Sequence, residues 1–96
     1  MGLGIYARDA RREKICFASD DPQDSFYQLC AAAPWESLRR GVMKHGETVF
    51  NSVQLRRLIE ELEALPPGES TPVVRDVVEA ARLAIRRSGY LQFIGD

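Results

Sequence analysis

The stretch SGYLQFIGD, residues 88–96, decides the fold. Chain termini are polar and frayed unless the structure ties them down. Here every position from Tyr90 to Ile94 except Gln92 is apolar or aromatic. That composition reads as a β-strand. Gly89 stands before it, where a left-handed cap would end a preceding helix. A lone strand needs a partner, so the search moves outward for one.

The other end of the chain supplies it. LGIYARD (3–9) and EKICFASD (13–20) are two short runs rich in aromatic and β-branched residues, separated by a polar turn. They predict a β-hairpin over 3–8 and 13–18. Alternation places Leu3, Ile5, Ile15 and Phe17 on one face, with Tyr6, Arg8, Lys14 and Cys16 on the other. Tyr90–Ile94 then pairs with one hairpin strand, giving a sheet of at least three strands.

Helices lie between. In DDPQDSFYQLCAAAP (20–34), Asp21 is placed to cap, Pro22 suits the first helical position and Asp24 favours the first turn. Asp20 is left over. Pro34 ends this helix near Ala32. Residues 35–40 predict a short helical turn broken by Gly41, followed by a loop with a turn at Gly46. Asn51 and Gln54 form a capping box for a helix over 52–65, whose stripe is Leu55, Leu58, Ile59, Leu62 and Leu65. Another helix begins near Ser70–Thr71 with Pro72 in its first turn. Val74, Val77, Val78, Ala81 and Ile85 make its stripe, and its alanines admit a close neighbour. The result is one α+β domain over residues 1–96, with three or four helices packed on one face of a small sheet.

Composition narrows the function classes. The 96 residues carry 13 basic and 14 acidic side chains, a net charge of −1. Nucleic-acid readers carry a basic excess, so that partner is not expected. No apolar run reaches membrane-spanning length. Cys16 and Cys30 read as free thiols, and no leader pattern is visible, so a cytoplasmic protein is expected.

Catalytic signals are weak. His45 is the only histidine, and neither cysteine is near it in sequence. Cys16, Cys30 and His45 match no zinc spacing. The glycines of GLG (2–4) do not lead into a helix, so the dinucleotide fingerprint fails. Neither a catalytic residue nor a cofactor nor a metal is expected. The alternative, a small enzyme or ligand-binding domain, would draw on Asp20, Asp24 or His45. A nucleic-acid-binding regulator, the least favoured reading, would use Arg82, Arg86 and Arg87.

One charge pattern runs against local stability. In the helix 52–65 the arginines come early and Glu60, Glu61 and Glu63 come late, opposing the helix macrodipole. With the next helix antiparallel, Asp76 and Glu79 fall near those glutamates, and Arg82, Arg86 and Arg87 near Arg56 and Arg57. The expected site is therefore a partner surface at Glu60, Glu61, Glu63, Arg82 and Arg86, since complementary potential steers encounter.

From Phe50 onward the chain resembles small bacterial proteins, mostly actinobacterial. They open a helix with Phe-Asn-x-x-Gln, here Phe50, Asn51 and Gln54. They end close to Tyr-Leu-x-Phe-x-Gly-Asp, here Tyr90, Leu91, Phe93, Gly95 and Asp96. Some such proteins are similar to immunity proteins or antitoxins encoded beside toxins. The resemblance implies an interaction protein that neutralises a cognate toxin by direct binding.

Overall fold

The computed structural model describes residues 2–95; Asp96, the last residue of the ending named above, lies outside them. Four antiparallel strands form one sheet in the order β2-β1-β4-β3. They are β1 (Gly4–Arg8), β2 (Lys14–Ser19), β3 (Gly46–Asn51) and β4 (Tyr90–Gly95). Three helices are present among the described residues: α1 (Ser25–Ala31), α2 (Ser52–Glu63) and α3 (Pro72–Arg86). The fold is α+β, as the sequence predicts. No helix among the described residues is long and apolar enough to cross a membrane.

The C-terminal strand is central. It pairs with β1 on one side, Ile5 opposite Phe93, and with β3 on the other, Phe50 opposite Leu91. Phe93 and Leu91 are fully buried. The Phe93 ring stacks on Phe26 of α1 at 5.9 Å and meets Phe50 edge-on at 5.8 Å, so one residue of β4 joins α1, β3 and the sheet.

Strand β3 corrects the expectation of a loop around 41–50. The segment ETVF has the alternation of a half-buried strand, with Phe50 in the core and Val49 outside. It is short and follows a glycine at φ 101°, so its local signal is slight. Pairing to β4 makes it a strand.

The facing of β2 is also corrected. Residues opposite one another in an antiparallel pair share a face. Ala18 lies opposite Ile5, Cys16 opposite Ala7 and Phe17 opposite Tyr6. A bulge at Ile15 then sets Lys14 opposite Arg8. Cys16 and Ala18 thus point inward, and Phe17 is 54% exposed. Helix α3 packs against β1 and β2 through an alanine-rich side, with Ala80, Ala81 and Ala84 buried. That close approach suits small inward residues.

The caps of α2 and α3 follow the sequence. Asn51 Oδ1 accepts the Gln54 N–H and Gln54 Oε1 accepts the Asn51 N–H, each at 2.9 Å. Thr71 caps α3 through the Val74 N–H. The cap of α1 is different. Asp20, buried, accepts N–H groups of Phe26 and Tyr27 at 2.9 and 2.8 Å. Asp21 binds the Ser25 N–H at 2.9 Å and the Ser25 hydroxyl. Asp24 sits in a left-handed turn with no capping bond from its side chain. The residue left over by the sequence is the one that anchors the helix, because the chain turns at Asp24 before the helix starts.

Gly89 is not the left-handed residue. That is Ser88, at φ 55°. Ser88 N–H bonds to Ile85 and Gly89 N–H to Ala84, the paired pattern that closes a helix C-terminus. Gly89 is needed for a different reason: a Cβ there would lie 1.8 Å from the Arg8 carbonyl oxygen.

Candidate functional site

Between α1 and β3 the chain makes a hydrogen-bonded loop that carries Trp35. Trp35 is 79% exposed. Its neighbours are nonetheless fixed. The Pro34 carbonyl accepts the Ser37 N–H at 2.9 Å and the Ser37 hydroxyl at 2.7 Å. The Arg40 guanidinium donates to the Ala33 carbonyl at 3.0 Å and lies 5.0 Å from the centroid of the indole. Arg57, on α2, donates to the Glu36 carbonyl at 2.9 Å.

Glu61 completes the clamp. Its carboxylate accepts the N–H groups of Leu38 at 2.7 Å and Arg39 at 3.2 Å, and pairs with Arg39 and Arg57 at 3.4 and 3.5 Å. Leu38 opens a short 3-10 turn, Leu38–Gly41. Glu61 is thus the acceptor for otherwise unbonded N–H groups at the start of that turn. This explains a glutamate placed late in α2 against the macrodipole: its carboxylate serves a different segment.

Trp35, Leu38, Arg40, Phe50 and Arg57 line a shallow cleft. Val53, 78% exposed, lies one helical turn before Arg57. The cleft offers an aromatic anchor with two guanidinium groups. Glu36 and Ser37 also line it, and the Ser37 hydroxyl is spent on the Pro34 carbonyl.

The outer face of the sheet is a second open surface. All three helices lie on the side of Ile5 and Phe93. Outside, the Tyr6 ring lies over Gly4, and Phe17 is 5.0 Å from it between centroids. Lys14 sits 5.9 Å from the Tyr6 ring centroid and 5.8 Å from that of Phe17. Arg8 donates to Gln92 at 2.9 Å, and Gln92 donates to Glu47.

The structure brings only some of the residues expected at the site together. Glu63 pairs with Arg82, which also approaches Glu79 at 4.0 Å. Arg82 therefore links the two ends that the sequence pattern separates. Glu60 and Arg86 are exposed. Glu61 is only 15% exposed at its side chain and is committed to the loop.

Asp20 serves α1, as above. His45 is exposed in the turn before β3. Among the described residues no cluster of His, Cys, Asp or Glu is placed to hold a metal. The Ser25 hydroxyl and N–H hold the Asp21 carboxyl below its ordinary value. Burial pushes the Cys30 thiol up to about 12, so it is poorly suited to act as a thiolate.

Trp35 and Phe17 are exposed aromatics that sequence reasoning misses. For Trp35 the available signal is Pro-Trp just after a helix, a place where an aromatic has no stripe to join. Searched against protein-family models, curated proteins and solved structures, the chain matches none.

Proposed function

We propose that this protein works by binding another protein, and that it is an immunity protein or antitoxin, acting in the cytoplasm, which neutralises a cognate toxin by direct contact. The observation that carries the reading is Trp35, 79% exposed yet held in a loop clamped by Arg40, Arg57 and Glu61. Tryptophan and arginine dominate the energetics of protein interfaces. A pre-ordered loop loses little entropy on docking. Arg40 over the indole and Arg57 in the same cleft favour an acidic partner surface. The immunity reading is further supported by the resemblance in the C-terminal half.

The test is co-expression with the product of a toxin-like reading frame adjacent to the gene. Wild-type protein restores growth and co-purifies with that product. Trp35→Ala weakens binding by roughly 30-fold or more, the effect of losing a ~2 kcal/mol anchor. Its melting temperature stays unchanged because the side chain is exposed. Full protection by Trp35→Ala would overturn the assignment of the anchor. Failure of the wild type to bind or protect would overturn the immunity reading.

A further inference from the structure

The outer sheet face differs from the Trp35 cleft in one respect: its charges are arranged to complement themselves. Three rows of outward residues cross the strands. One holds Lys14, Arg8, Tyr90 and Asn51; the middle one holds Phe17, Tyr6, Gln92 and Val49; the last holds Ile94 and Glu47, with Gly4 and Ser19. Lys14 and Glu47 therefore occupy opposite corners, one on each edge strand. Between them the surface is apolar apart from Gln92, whose amide is bonded to Arg8 and Glu47. Phe17, Val49 and Ile94 are 54%, 46% and 39% exposed, and Tyr6 lies down over Gly4, which keeps the centre low.

We propose that this face is the interface of a homodimer, its occupant a second copy of the same chain. A two-fold axis lying in the interface along the diagonal between the other two corners brings Lys14 of each copy over Glu47 of the other. The same operation places Phe17 over Ile94 of the second copy and Tyr6 against its own equivalent. The strands of the two sheets then cross at close to a right angle, one of the two arrangements in which sheets pack face to face. Isologous contacts of this kind close on themselves and stop at two copies.

Charge favours a second copy over an unrelated protein. A face with a basic corner and an acidic corner repels no part of itself when turned about that diagonal, and Glu47 is held in place by the Arg8–Gln92–Glu47 chain of hydrogen bonds. Area sets how tight the contact is. Four strands spaced ~4.8 Å apart, over six residues of ~3.4 Å, span roughly 19 by 20 Å. That footprint is about 380 Å² per copy and ~760 Å² in total, below the ~1,200–2,000 Å² of stable interfaces, so the dimer is a weak one that fills only at high concentration. The Trp35 cleft lies outside this face, so a dimer leaves both copies of it available.

The experiment is sedimentation equilibrium and native mass spectrometry of the full chain over a concentration series from micromolar to about 100 μM. A particle of twice the 10.8 kDa chain mass is expected at the upper end. Phe17→Asp should raise the dissociation constant by tenfold or more without altering the circular dichroism melt, since the side chain is mostly exposed. Lys14→Glu should also weaken the dimer, and the exchanged pair Lys14→Glu with Glu47→Lys should restore it. A wild-type protein still monomeric at 100 μM, as for a face kept for another molecule, overturns the proposal. So does a dimer indifferent to Phe17→Asp, or an exchanged pair no better than Lys14→Glu alone. None of these outcomes bears on toxin binding through Trp35.

Discussion

The Glu61 carboxylate accepts the backbone N–H of Leu38 at 2.7 Å across 23 residues of chain. This one contact ties the Trp35 loop to the middle helix, and it turns a locally unfavourable charge into a tertiary one. A buried N–H deprived of its acceptor carries a desolvation cost of about 1–3 kcal/mol. Glu61→Ala should therefore lower stability by about that much, measured by urea denaturation, and should change the emission of Trp35. Glu60→Ala, exposed on the same helix, should do neither.

Asp20 makes a second anchor. Its carboxylate holds the N–H groups of Phe26 and Tyr27 together with that of Asp21, while its own N–H donates to Leu3. Asp20→Ala should cost about 2 kcal/mol, at the upper end for loss of a helix cap. Hydrogen exchange at Phe26 and Tyr27 should rise. Asp24→Ala, with no capping bond to lose, should be milder in both readouts.

Ser88 and Gly89, which follow the C-cap Arg87 of α3, should respond in opposite directions. Gly89→Ala places a Cβ 1.8 Å from the Arg8 carbonyl oxygen. The Arg8 oxygen is backbone at the end of β1, where Arg8 pairs with Tyr90 of β4, so the strands must part, and a loss above ~4 kcal/mol or failure to fold is expected. Ser88 holds a φ of 55°, a conformation in which glycine is easier by roughly 0.5–1 kcal/mol. Ser88→Gly should melt higher than wild type.

Cys30 and Cys16 should separate by reactivity. Both are free, but Cys30 is buried and Cys16 half-buried. Burial raises the Cys30 thiol from 9.0 to about 12 in the folded protein. Its neutral form therefore favours folding, and the contribution is present below about 9. It is lost as pH rises through 12, because the unfolded chain releases its proton first. Thiol alkylation at pH 8 should modify Cys16 in the native state and Cys30 only after unfolding. A denaturation series from pH 8 to 11 should show stability falling, and less steeply in Cys30→Ala.

What the sequence determined by itself was local. The capping box of Asn51 and Gln54, the stripes of α2 and α3, Thr71 with Pro72, and the apolar run Tyr90–Ile94 are all patterns complete within a few residues. Each imposes its element whatever lies elsewhere, and the strand at the C-terminus then demanded a sheet. The tertiary structure decided the features in which distant segments choose between near-equal options. ETVF became β3 because β4 offered it an edge. The facing of β2 turned on a bulge at Ile15 and on how closely α3 could approach. The role of Asp20 depended on where the chain turned at Asp24. Trp35 became a candidate anchor only when Glu61 and Arg57, more than 20 residues away, clamped its loop. Its exposure is a property of packing, which no spacing within the sequence encodes.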